Sequence, residues 1–133
     1  MKRFHNVVRV LIGLLFVVIS GSKFGILPSF INMPEMFTPE GWAFVMAVKE
    51  TGYMFPVIAV VSLFTGIAFL LNRYVAFAAV LMAPIAFNFA IFHVFMGFRE
   101  FSVREAISYV PITLIAYIMY MERVKYAALF KDK

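Results

Sequence analysis

The chain has no cysteine among its 133 residues. That excludes a thiol or disulfide relay, a thiolate zinc site and cysteine-ligated iron–sulfur chemistry within it. Charge is scarce as well, at 14% of residues, against about a quarter in ordinary soluble domains. No Asp or Glu falls in the core of any apolar run, which argues against a proton-coupled transporter needing a carboxylate at depth. A phosphate loop, a nucleophile elbow, a zinc motif and a nucleic-acid module are also missing. No stand-alone catalytic constellation is legible.

What is present is apolar. Hydrophobic residues make up 64% of the chain, and the mean hydropathy is +0.94. Four runs stand out, at about residues 4–22, 53–71, 74–96 and 105–121. Each approaches the roughly 20 residues needed to cross about 30 Å of hydrocarbon. A soluble bundle would repeat polar residues along one face of each helix, and no such face recurs. The expectation is an all-α fold in one domain, 1–133: an integral membrane four-helix bundle in contact with the lipid bilayer. The first run also has features of a signal peptide, with Met1-Lys2-Arg3 before it and Val18-Ile19-Ser20 near its end. Arg9 interrupts its apolar core, so a retained span is expected.

The net charge of +5 does not point to nucleic acid, because the basic residues sit beside the apolar runs. Lys2, Arg3, Arg9, Arg73, Arg123, Lys125, Lys131 and Lys133 fall at one face. Lys23, Lys49, Arg99 and Arg104 fall at the other, among Glu35, Glu40, Glu50, Glu100 and Glu105. The positive-inside rule then puts both termini and the Asn72-Arg73 turn in the cytoplasm of a bacterial inner membrane. In the long connection, Thr38-Pro39-Glu40 supplies a capping hydroxyl, a proline for the first helical position and an acid for the first turn. Gly52 is a suitable stop. The helix between them is too short to span, and is expected to lie at the interface with Trp42 at headgroup depth.

Small residues at helical spacing mark where helices meet in lipid. In the third run these are Ala76, Ala79, Ala83, Ala86, Ala90, His93 and Gly97, with Ala59, Ser62 and Gly66 of the second run as the expected partner face. Gly13 and Ser20 offer a similar face on the first.

His93 continues the third run's stripe and should point inward. It suits hydrogen bonding to a quinone carbonyl, proton relay or metal ligation, and equally an interhelical hydrogen bond that locks the bundle. Bis-histidine haem is not expected, since His5 lies near the opposite face, roughly 25–30 Å away for full spans. Pro84 frees the Val80 carbonyl in mid-helix, and Asn88 lies one turn on. Tyr109, Thr113 and Tyr117 share a face of the fourth run. Together they are candidates to line a small polar pocket, or to satisfy one another. Arg9 and Lys23 bracket the first run as interfacial anchors, with Glu50 placed to reach Lys23.

Several stretches resemble the DoxX family of small bacterial membrane proteins. They are Arg9-Val10-Leu11-Ile12-Gly13-Leu14-Leu15-Phe16 with Ser20-Gly21 and Lys23; Leu63-Phe64-Thr65-Gly66 with Asn72-Arg73-Tyr74; and Ala83-Pro84 with Asn88 and Phe92-His93. The resemblance covers roughly residues 7–121. It implies a four-helix inner-membrane bundle; together with His93, Asn88 and the tyrosine face it leads to the expectation of an accessory subunit that binds a quinone or other apolar ligand for a redox protein, and no haem or metal is expected. Ser62 stands where relatives commonly carry Glu. The alternative is a non-catalytic scaffold or assembly factor, with room for a homo-oligomer in either case.

Overall fold

The computed structural model describes residues 1–24, 37–96, 106 and 109–131. Six α-helices occur among the described residues: α1 (Lys2–Lys23), α2 (Pro39–Glu50), α3 (Met54–Leu71), α4 (Val75–Met96), α5 (Val110–Met121) and α6 (Arg123–Ala127), followed by a 3-10 turn, Ala128–Phe130. Three of them, α1, α3 and α4, are long and apolar enough to cross a membrane. At most 33% of the apolar window of each is buried within the protein. The remaining apolar surface needs a non-aqueous solvent.

Among the described residues the fourth run gives a helix of 12 residues, or about 18 Å of rise, so three long apolar helices and one shorter apolar helix are seen there. Pro111 sits in the first turn of α5, where a missing N–H costs nothing. The upstream part of the expected span, apart from Ala106, lies outside the described residues, as do Gly97 and the charges Glu35, Arg99, Glu100, Arg104, Glu105 and Lys133.

Between α3 and α4 the chain reverses within three residues. Asn72 takes the left-handed conformation (φ 54°) that closes α3, while Asn72 N–H donates to Phe69 O (3.3 Å) and Arg73 N–H to Ala68 O (3.0 Å). Asparagine tolerates that region better than most residues. A reversal this short makes α3 and α4 antiparallel neighbours, and Thr65 Oγ1 reaches Ala78 O at 3.5 Å between them.

The most extensive helix contact is between α1 and α3. It is a crossing of glycines: a Cβ built on Gly66 would lie 2.8 Å from Gly13 O and 2.7 Å from Val17 Cγ2. The Gly66 face of α3 therefore packs on α1, and not on α4 as the spacing suggests. Below the crossing, Phe16 and Phe69, both fully buried, meet edge to face at 6.3 Å. From α4 the core takes Val75, Ala78, Ala79, Met82 and Ala86; α5 adds Ile115 and Ile118. Ala76, Ala83 and Ala90 are only half-buried, because the contact stripe is rotated toward Val75, Ala78 and Met82.

Helix α2 begins at Pro39 and is followed by Thr51, Gly52 and Tyr53 before α3. Gly52 has φ +75°, the left-handed stop its position suggested. Thr38 caps the helix by accepting from Gly41 N–H at 3.1 Å. The same hydroxyl donates to Met96 O at 3.0 Å, so one side chain joins the amide end of α2 to the carbonyl end of α4. The two helix dipoles are complementary there.

Candidate functional site

The α2–α4 junction carries a run of aromatic contacts. Phe37 is 6.0 Å from Trp42 and 6.2 Å from Phe92, ring centre to ring centre. Phe44 stacks on Phe92 at 5.3 Å with the planes 28° apart. Phe92 in turn meets His93 edge to face at 5.1 Å. The imidazole also lies 4.3 Å from the Phe89 ring and 6.4 Å from Tyr109 at the start of α5. The imidazole, 3% exposed, thus lies against rings of α4 and the start of α5, and α2 stacks on its neighbour Phe92.

The His93 ring is oriented from within its own helix. Its Nδ1 lies 2.8 Å from Phe89 O. A carbonyl can only accept, so Nδ1 carries the proton, and in the neutral ring Nε2 carries the lone pair. This bond is intrahelical, so it does not join α4 to another helix.

The sequence candidates do not all gather here. His93 and Tyr109 are brought together. Asn88 is exposed on the outer side of α4. Thr113 is exposed too, and its hydroxyl donates to Tyr109 O at 3.0 Å, within its own helix. Tyr117 lies two turns beyond Tyr109, about 12 Å along α5, against Phe4 and His5 at 6.4 and 6.0 Å. Pro84 is on the exposed face of α4. Phe37, Phe44 and Phe92 complete the cluster, and apolar spacing alone does not single out such residues, since 17 phenylalanines share the pattern.

Arg9 is 7% exposed and donates from a terminal guanidinium nitrogen to Phe69 O. It caps the carbonyl end of α3 from inside the bundle, where a cation meets the negative end of the helix dipole. Its Nε is buried without a partner. Glu50 is exposed at the end of α2; the Lys23 side chain, its expected partner, lies outside the described residues.

At the same end as Arg9, Tyr126 of α6 donates to Ala76 O at 2.8 Å, tying the C-terminal turns to the start of α4. Burial, with the Glu122 carboxylate nearby, raises the Tyr126 phenol above its ordinary 10.0. Glu122 itself pairs with Lys125 one turn on.

No group of three or more His, Cys, Asp or Glu side chains suited to a metal ion occurs among the described residues. No family model, curated protein or solved structure matches the chain. The helices themselves define the class: this is a multi-pass helical membrane protein.

Proposed function

We propose that the chain is an accessory membrane subunit that works by binding, and that the His93 end of the bundle holds a flat apolar molecule of the quinone class for a separate redox protein. The observation that supports it is the chain of rings from Trp42 through Phe37, Phe92 and Phe44 to His93 and Tyr109. Ring faces recognise a planar conjugated ligand by stacking, and the set joins three helices at one end of the bundle. Phe89 O holds the imidazole through Nδ1, which fixes the orientation of the ring within the aromatic set. The DoxX resemblance of residues 7–121 is part of the same proposal, and so is a bacterial inner-membrane location with cytoplasmic termini.

Trp42 is the only tryptophan, so it reports on this cluster without interference. Titrating the purified protein with a short-chain quinone should quench its emission saturably. Phe92→Ala should weaken the apparent affinity about fivefold or more, from loss of one stacking partner worth roughly 1 kcal/mol. Quench that rises without saturation, equally in wild type and Phe92→Ala, would remove the reading.

A further inference from the structure

Asn88 has no hydrogen-bond partner among the described residues, and its side chain projects from α4 away from the bundle. It lies about 4 Å along the axis from the midpoint of Val75–Met96. An amide facing hydrocarbon at that depth forgoes hydrogen bonds that lipid cannot replace. Pro84, one turn earlier on the same side, lacks the N–H that Val80 O would otherwise accept. The exposed amide and the helix-interrupting proline therefore share one face.

That face has the pattern of a helix seam. Phe77, Leu81, Pro84, Asn88, Ile91 and Phe95 follow one another at steps of four, three, four, three and four residues, and all are exposed. They lie on the side of α4 opposite Val75, Ala78, Ala79, Met82 and Ala86, which fill the core. A period of 3.5 keeps one stripe against a second helix over several turns, and a lone asparagine within such a stripe fixes register.

We infer that this face pairs with the same face of a second copy of the chain, as a parallel two-fold dimer centred on Asn88. Copies sharing one topology are related by an axis along the membrane normal, which places Asn88 opposite its own counterpart at the same depth. A carboxamide both donates and accepts, so two of them satisfy each other reciprocally. No charge faces outward along the stripe to require an ionic partner. The pairing is independent of the His93 ligand, whose cluster uses other residues.

The absence of cysteine makes the test direct. Pure protein labelled with donor or acceptor dye at an introduced Lys133→Cys is reconstituted in phosphatidylethanolamine–phosphatidylglycerol vesicles, and energy transfer is followed as lipid is added. Transfer should persist above random proximity with a two-copy stoichiometry. Asn88→Leu should weaken association about tenfold, the effect of one interhelical polar contact in lipid, whereas Asn88→Gln should retain it. An unlabelled Ile91→Cys variant should yield an oxidised dimer, and Val60→Cys, on an exposed position of α3, should not. Transfer no greater than random proximity overturns the inference, as it would if a different polypeptide covers this face. So does equal association of wild type and Asn88→Leu, or equal crosslinking at Val60 and Ile91.

Discussion

Replacing Gly66 by alanine tests the α1–α3 crossing. The added Cβ would sit 2.7 Å from Val17 Cγ2, 2.8 Å from Gly13 O and 3.0 Å from Val17 N. The valine methyl can rotate away. The other two atoms are backbone of α1, so relief requires the helices to part by about 0.6 Å to restore ordinary contact. A gap of that size forfeits roughly a quarter to a half of the attraction of each atom pair along the seam, and overpacking at such sites costs about 1–3 kcal/mol. Against this, alanine gains about 1 kcal/mol of helix propensity over glycine. The expected net loss is therefore up to about 2 kcal/mol, or up to about thirtyfold in the folded ratio.

Gly13→Ala carries the same propensity gain but a milder clash. Its Cβ would meet Gly66 O at 3.0 Å and Leu70 Cγ at 3.0 Å, and the leucine can shift. Its loss should fall between zero and about 1 kcal/mol by the same terms. Reversible unfolding in mixed dodecylmaltoside and dodecyl sulfate micelles, followed by far-ultraviolet circular dichroism, ranks the two variants free of the propensity term. Gly66→Ala at or above wild-type stability refutes the crossing argument, as does Gly13→Ala falling below Gly66→Ala.

Gly41→Ala should lift α2 from α4, because the new methyl would collide with Met96 O; a red shift of Trp42 emission with the α3–α4 hairpin intact is the expected readout. Thr38→Val should produce a weaker version, losing about 1–2 kcal/mol of capping and interhelix bonding. Tyr126 should confer an alkaline limit. Its phenol is raised in the folded state, so the protonated form favours folding and the contribution is complete below the ordinary 10.0. It is lost as the pH climbs past 10 through the folded value. Relative to the base-catalysed rise common to all amides, hydrogen exchange in α6 should accelerate further over that range in wild type, whereas Tyr126→Phe should show faster exchange at neutral pH and no such step.

The α2 cap was legible in the sequence because every signal was local: a hydroxyl, a proline, an acid and a glycine lie within one short segment. The structure added what local signals cannot encode, the second bond from Thr38 to Met96 O, 58 residues away. The three long spans were legible for a similar reason, since length and hydropathy are properties of a single segment. The start of the described α5 was not, because apolarity continues upstream of it.

Side-chain direction was the harder quantity. Lipid-facing and core-facing positions are equally apolar, so α4 offers no hydrophobic contrast from which to read its orientation. Small residues narrowed it: Ala79, Ala86 and His93 are buried. Asn88 separated from them because five residues advance a helix by about 500°, well off the His93 stripe, whatever chemistry suggested a shared pocket. A polar residue in a membrane span therefore supports two opposite inferences. Buried, as at His93 and Arg9, it satisfies backbone carbonyls within the chain; exposed, as at Asn88, it calls for a partner outside it. Only the helix rotation distinguishes these cases, and in α4 it follows the buried side of the helix, Val75, Ala78, Ala79, Met82 and Ala86, with Thr65 Oγ1 reaching Ala78 O, rather than any polar residue of α4.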